Sequence, residues 1–215
     1  MKFKFSLVIA IASFLSFAGT SHALFDSNNY SDHEDIKGRW GAGVQVSQAI
    51  AEADEVSISD NIGYSAGVTY GILDYLALHI NMGYHELSYG AGSVDVGDLM
   101  TAPLMFDLQW RYPFDIGTMP VTVYGVTGIG ILFHDFQAGE PVLAVNRDIK
   151  ANDSLGLRFG LGFDFFLTRH WAANVEATYT WSTSGVHVAV PELGLGDNTV
   201  NADFFNVGGG LKYYF

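Results

Sequence analysis

The chain has 215 residues, a formal net charge of −13 at pH 7, no cysteine, and 49% hydrophobic residues. Its acidity argues against a nucleic-acid partner, since polyanions are held on basic faces. Without cysteine there can be no disulfide, no thiolate metal centre and no cysteine nucleophile.

Lys2 and Lys4 stand before an apolar stretch from Phe5 to Phe17, followed by Gly19-Thr20-Ser21-His22-Ala23. Small residues at Ser21 and Ala23 fit the −3/−1 positions of a signal peptidase site. Residues 1–23 are therefore expected to be a cleaved signal peptide, cut after Ala23. The apolar stretch is too short to span the ~30 Å hydrocarbon core comfortably as an anchor. Losing its two lysines takes the formal charge to −15. Residues 24–37 are expected to be an N-terminal periplasmic segment. His33, within Asp32-His33-Glu34-Asp35, is too weak a donor set there to suggest a metal site.

From residue 38 onward the pattern changes. No apolar run reaches the roughly 18 residues of a spanning helix, yet apolar residues, 25 glycines and 14% aromatics are spread throughout. Alternating strands with one face on lipid produce that combination. Eight segments alternate with period two, at about 38–47, 61–72, 75–86, 99–112, 120–133, 154–167, 171–182 and 203–215. The sixth is the clearest, setting Leu155, Leu157, Phe159, Leu161, Phe163 and Phe165 against Arg158, Gly160, Gly162 and Asp164. The fifth is blurred by glycines. Each is long enough for a tilted crossing.

Connections after the second, fourth and sixth segments are short: Leu73-Asp74, 114–119 and 168–170. Those after the first, third, fifth and seventh are longer, at about 48–60, 87–98, 134–153 and 183–202. The predicted fold is all-β: an eight-stranded antiparallel transmembrane β-barrel over 38–215, with short periplasmic turns and long outer loops, in a Gram-negative outer membrane. A soluble β-sandwich or lipocalin-like barrel would keep its aromatics inside. Here the charged strand residues lie opposite the apolar stripe.

That opposite face carries Arg39, Arg111, Arg158 and Lys212 together with Asp107, Asp164 and Glu176, and also His79 and His85. These residues are expected to line the lumen. Charges in so narrow a barrel must pair, because an unpaired one costs several kcal/mol; a polar conduit is the alternative use of the same face. His79 and His85 lie about 20 Å apart along one strand and cannot share a metal. Ser184 and His187 have loop spacing that establishes no catalytic group, and Gly208-Gly209-Gly210 has no helix after it to make a phosphate loop. The expectation is no enzyme, cofactor or metal.

Most acids fall in the long connections and before residue 38. A solvated, self-repelling surface explains them; divalent cations bridging to lipopolysaccharide phosphates are the sharper alternative. Leu211, Tyr213 and Phe215 share the outward face of the last segment. They are expected to serve as the assembly signal read by the barrel assembly machinery.

Leu99-Met100-Thr101-Ala102-Pro103-Leu104-Met105, the run Gln109 to Tyr112, the Tyr-Gly-X-X-Gly-X-Gly core within 121–136, and 149–183 with its Asp-Ser-Leu-Gly entry and Arg-His-Trp turn resemble the OmpW family of small outer-membrane proteins. The resemblance covers roughly 99–183 and the terminal strand. It implies a monomeric barrel with a narrow, apolar-lined entrance among the outer loops that passes small hydrophobic molecules, releasing them laterally into the membrane. Val142, Leu143, Val188 and Leu193 are candidates for that entrance. The competing expectation is a non-transporting structural or surface-interaction barrel of the OmpA or opacity type.

Overall fold

The computed structural model describes residues 36–50, 57–60, 62–91, 94–138, 152–183, 185–190, 195–201 and 203–215. Eleven strands form: β1 (Trp40–Ile50), β2 (Ser57–Asp60), β3 (Ile62–Leu73), β4 (Leu76–Ala91), β5 (Val94–Ile116), β6 (Met119–Ala138), β7 (Ser154–Phe166), β8 (Trp171–Ser182), β9 (Gly185–Val190), β10 (Leu195–Asn201) and β11 (Phe204–Tyr214). Eight of them close a barrel in the order β4-β3-β1-β11-β8-β7-β6-β5, with β5 returning to β4. Each neighbouring pair is antiparallel. β2 adds to the outer end of β4, and β9 and β10 form a separate hairpin within the fourth long connection.

Alternation explains why these segments become strands. Val44 is 64% exposed and Leu161 62%, whereas Asp164 is fully buried. That inverts the usual order of a water-soluble protein, and only a hydrocarbon solvent makes it favourable. Trp40, Tyr75, Trp110, Tyr112 and Trp171 are exposed toward the end where the chain termini of the barrel meet. They place an aromatic girdle at the periplasmic interface.

The strands are staggered. Paired positions followed once around the wall run Phe114, Val121, Phe165, Ala173, Leu211, Val44, Ala66, Met82 and then Leu104, returning to β5 ten residues nearer its outer end. This shear tilts the strands and sets which inward residues share a level.

Several boundaries differ from expectation: β1 runs on to Ile50 and β6 to Ala138, the latter paired with Gly97. The region 87–98 is mostly paired strand, because β4 and β5 continue against each other up to Ala91↔Val94. The stretch 114–119 is likewise ladder as far as Ile116↔Met119, turning on Gly117 at φ +66°. Backbone pairing with an established neighbour outweighs the polar composition that suggested loops. β5, at 23 residues, extends roughly 75 Å along its own axis, so even tilted it projects beyond the hydrocarbon.

The periplasmic mouth is closed by residues before β1. Gly38 takes the left-handed conformation at φ +71°, its N–H bonds Gly71 O over 2.8 Å, and Arg39 N–H returns to Ile36 O over 2.9 Å. A Cβ on Gly71 would collide with the Ile36 carbonyl. This turn buries Ile36 with Ala77, Phe166, Ala172 and Tyr214. The site of the expected cut at Ala23 lies outside the described residues.

Candidate functional site

The lumen is built in three layers. The lowest centres on Asp164, on the inward face of β7. Its Oδ2 accepts from Arg111 Nη2 at 2.8 Å and from the Tyr214 hydroxyl at 3.0 Å, while Oδ1 accepts from Lys212 Nζ at 2.8 Å. Lys212 also donates to the Tyr124 hydroxyl (3.2 Å), which donates to Glu176 Oε2 (3.1 Å). The ammonium and the Arg111 guanidinium both face the Tyr124 ring, at 4.5 and 5.5 Å from its centroid. With both cations on one carboxylate, this layer is a solid ionic plug.

The middle layer is looser. Arg158 Nη1 reaches Asp107 Oδ2 at 3.3 Å. His79 Nδ1 shares a hydrogen with Thr69 Oγ1 at 2.9 Å. A cavity of ≈ 20 Å³ beside Gln45, Ser65, Asn81 and Glu176 has room for about one water.

Above lies an apolar collar. Leu87, Leu99, Met105, Leu132 and Phe204 are buried on the inner face, and the His85 ring packs 5.2 Å from that of Phe204. Among them runs a hydrogen-bonded chain from Thr101 Oγ1 to His134 Nδ1 (3.0 Å), His134 Nε2 to Ser154 Oγ (3.1 Å), and Ser154 Oγ to Ser182 Oγ (2.8 Å). The chain has the form of a serine–histidine pair without its acid. A hydroxyl, not a carboxylate, orients the imidazole, and the nearby Asp153 accepts from the His134 backbone N–H instead.

Of the residues expected in the lumen, His79, His85, Asp107, Arg111, Arg158, Asp164 and Lys212 are buried there, and Glu176 is half-buried against Tyr124. Arg39 is a correction. It precedes the first β1–β11 pair, Gly41↔Tyr214, so it stands at the periplasmic rim. There its guanidinium donates to the carbonyls of Arg169 (2.8 Å), Tyr214 (3.2 Å) and Phe215 (3.2 Å). Val142, Leu143 and Leu193 lie outside the described residues; Val188 is in β9, paired with Asn198. Leu211 and Phe215 are exposed on the outer wall, with the Tyr213 ring packed edge-on to Phe215 at 5.1 Å. Sequence reasoning missed Tyr124, Tyr214, His134 and Ile36. Parity was the available signal for Tyr124 and Tyr214, whereas His134 lies past the end of the fifth predicted segment and Ile36 before the first.

Among the described residues, the β4–β5 ladder omits two pairs without a shift of register, a break in hydrogen bonding where the strands stay in contact, a Cβ on Gly83 lying 3.3 Å from Pro103 Cγ. The β4–β5 ladder runs from Leu76↔Trp110 to Met82↔Leu104 and resumes at His85↔Thr101. Pro103 stands in the gap with no N–H to donate. The break lies at the height of the collar.

A closed antiparallel barrel with a lipid-facing apolar wall and an ion-paired interior is an integral outer-membrane protein. The chain matches the outer membrane protein beta-barrel domain family over residues 9–215, and it belongs to that family. It is similar to outer membrane protein W of Vibrio cholerae serotype O1, at 23% identity over 171 residues, covering 74% of this chain and 77% of that one. The crystal structure of OprG from Pseudomonas aeruginosa superposes with a TM-score of 0.67 at 18% identity, covering 84% of this chain and 97% of that one. The solution structure of OmpW from E. coli gives 0.51 at 16%, covering 83% and 98%. The chain is thus an outer-membrane β-barrel protein that is similar to outer membrane protein W.

Proposed function

We propose that the protein is a monomeric uptake path for small, mostly hydrophobic molecules that enter from the outer face and leave sideways into the membrane. One observation carries this reading: an apolar collar stands directly above a sealed ionic layer, beside the break at Pro103. A solute that reaches Leu99 and Leu132 cannot continue past Asp164 and Ile36. Parting of β4 and β5 at the missing ladder pairs is its way out. The lumen charges Arg111, Arg158 and Lys212 are balanced by Asp107, Asp164 and Glu176, so the interior offers no net field to attract an ion. The Ser154–His134 pair lacks an acid, so no catalytic role is assigned to it. Val142, Leu143, Val188 and Leu193 would form the entrance, and lipopolysaccharide would surround it.

The test is flux into lipopolysaccharide-containing liposomes of a hydrophobic fluorescent dye and of arabinose. The dye should enter faster with protein than without, and arabinose should not. Equal inertness to both would end the uptake reading.

A second reading, as a surface-interaction barrel, is favoured by the length of β5, whose hairpins carry a paired sheet beyond the membrane. It would be supported by partner binding that survives Pro103→Ala while dye flux is absent in both proteins.

A further inference from the structure

Among the described residues, nine buried side-chain polar atoms have no hydrogen-bond partner, and six of them share one belt of the lumen. They are Arg158 Nε, Asp107 Oδ1, Thr180 Oγ1, Asn206 Oδ1, Ser47 Oγ and His85 Nδ1. The register puts them together. Arg158 is paired with Thr180 and hydrogen-bonded to Asp107. Thr180 is paired with Phe204, two residues from Asn206 on the same face, and Ser47 lies one strand further on, paired with Gly208. His85 completes the belt through its contact with Phe204. The belt lies above the ionic plug and merges with the foot of the apolar collar, where His85 meets Phe204 beside the break at Pro103.

A buried polar atom without a partner costs about 1–3 kcal/mol, so six in one belt point to a ligand group or to water that satisfies them. The complement is mixed. Arg158 Nε can only donate; the Asp107 and Asn206 oxygens accept; the two hydroxyls and the imidazole can do either. The charges around the belt already balance. A group that satisfies it must be neutral and must donate and accept at once, and its apolar remainder must fit the collar.

We infer that this belt is a head-group site for hydroxylated amphiphiles, alcohols or phenols whose hydroxyl is held by the belt while the apolar body lies among Leu87, Leu132 and Phe204. The inference deepens the uptake reading and rests on it for its biological sense, but binding is separable from flux.

The test is a pair of titrations of the full-length mature protein in lipid nanodiscs, with benzyl alcohol and with toluene, followed by ¹⁵N resonances of the His85 ring and the Thr180 and Asn206 amides. Benzyl alcohol should shift these signals saturably; toluene should perturb the collar and leave the His85 ring nitrogens in place. The near-isosteric Thr180→Val should weaken benzyl alcohol about fivefold, the loss of roughly one hydrogen bond, without changing toluene. Asn206→Leu should act in the same direction, and a retained dispersed β spectrum shows that either variant is folded. Equal responses to the two probes, silence of the belt resonances toward benzyl alcohol, or an unchanged preference in both variants would each overturn the inference, leaving water as the belt's occupant. Saturable binding without dye flux would end the uptake reading and leave the site standing.

Discussion

Tyr214 donates its hydroxyl hydrogen to Asp164 Oδ2 over 3.0 Å, joining β11 to β7 across the intervening β8. The strand that closes the barrel is thus tied to the carboxylate on which both lower cations rest. Tyr214→Phe keeps Arg111 and Lys212 on that carboxylate and should cost about 1.5–3 kcal/mol, the range for a hydrogen bond to a charged group. Asp164→Ala leaves two buried cations without an anion and should cost about 3–5 kcal/mol. Urea unfolding from lipid vesicles reads both. Equal losses would mean that the network does not centre on Asp164.

Glycine faces give a second test. A Cβ on Gly162 would meet the Tyr124 ring, and one on Gly128 would fall on the Asp107 carboxylate, 2.9 Å from its Cγ. Gly162→Val and Gly128→Val should each destabilise by about 1–3 kcal/mol through overpacking. Gly125, with nothing within 4 Å of its added Cβ, is the control. Gly125→Ala should stay within about 0.5 kcal/mol of the parent.

Arg39 holds the end of the barrel by three backbone carbonyls. Because the contacts are partly exposed, Arg39→Ala should cost only about 1 kcal/mol. Its signature is local: faster amide exchange at Phe215, whose N–H bonds Trp40 O over 2.8 Å, with exchange at Gly162 unchanged. Deleting Phe215 should act differently, if this residue is the assembly signal we propose. The fraction inserted in cells should fall, while protein refolded in vitro unfolds at a nearly unchanged urea concentration.

Pro103 predicts opposite signs for stability and transport. Pro103→Ala restores an N–H to the gap between Met82↔Leu104 and His85↔Thr101. The urea midpoint should rise and dye flux should fall. A fall in both would mean that the proline matters for folding and not for a lateral exit.

Much of this architecture was legible in the residues. The β7 segment, Ser154–Phe166, announces its two faces by strict alternation, and Arg158 and Asp164 are inward because parity alone puts them there. Tyr124 and Tyr214 were missed because an aromatic ring scores as lipid-facing, although in both the hydroxyl is what the interior uses. Arg39 was misplaced because alternation extended by one residue past the first ladder pair, Trp40↔Tyr70, predicts a lumen side chain, where the chain is already at the rim.

By itself, then, the sequence determined that eight strands cross a membrane and which side chains of each turn inward, because a period of two is a local property of consecutive residues. Only the tertiary structure decided which inward residues meet. Asp164 finds Arg111 on β5 and Lys212 and Tyr214 on β11, and Ile36 folds back beneath them, because the ten-residue stagger of the closed wall sets the levels. Stagger belongs to the whole ring of strands, and no single segment encodes it.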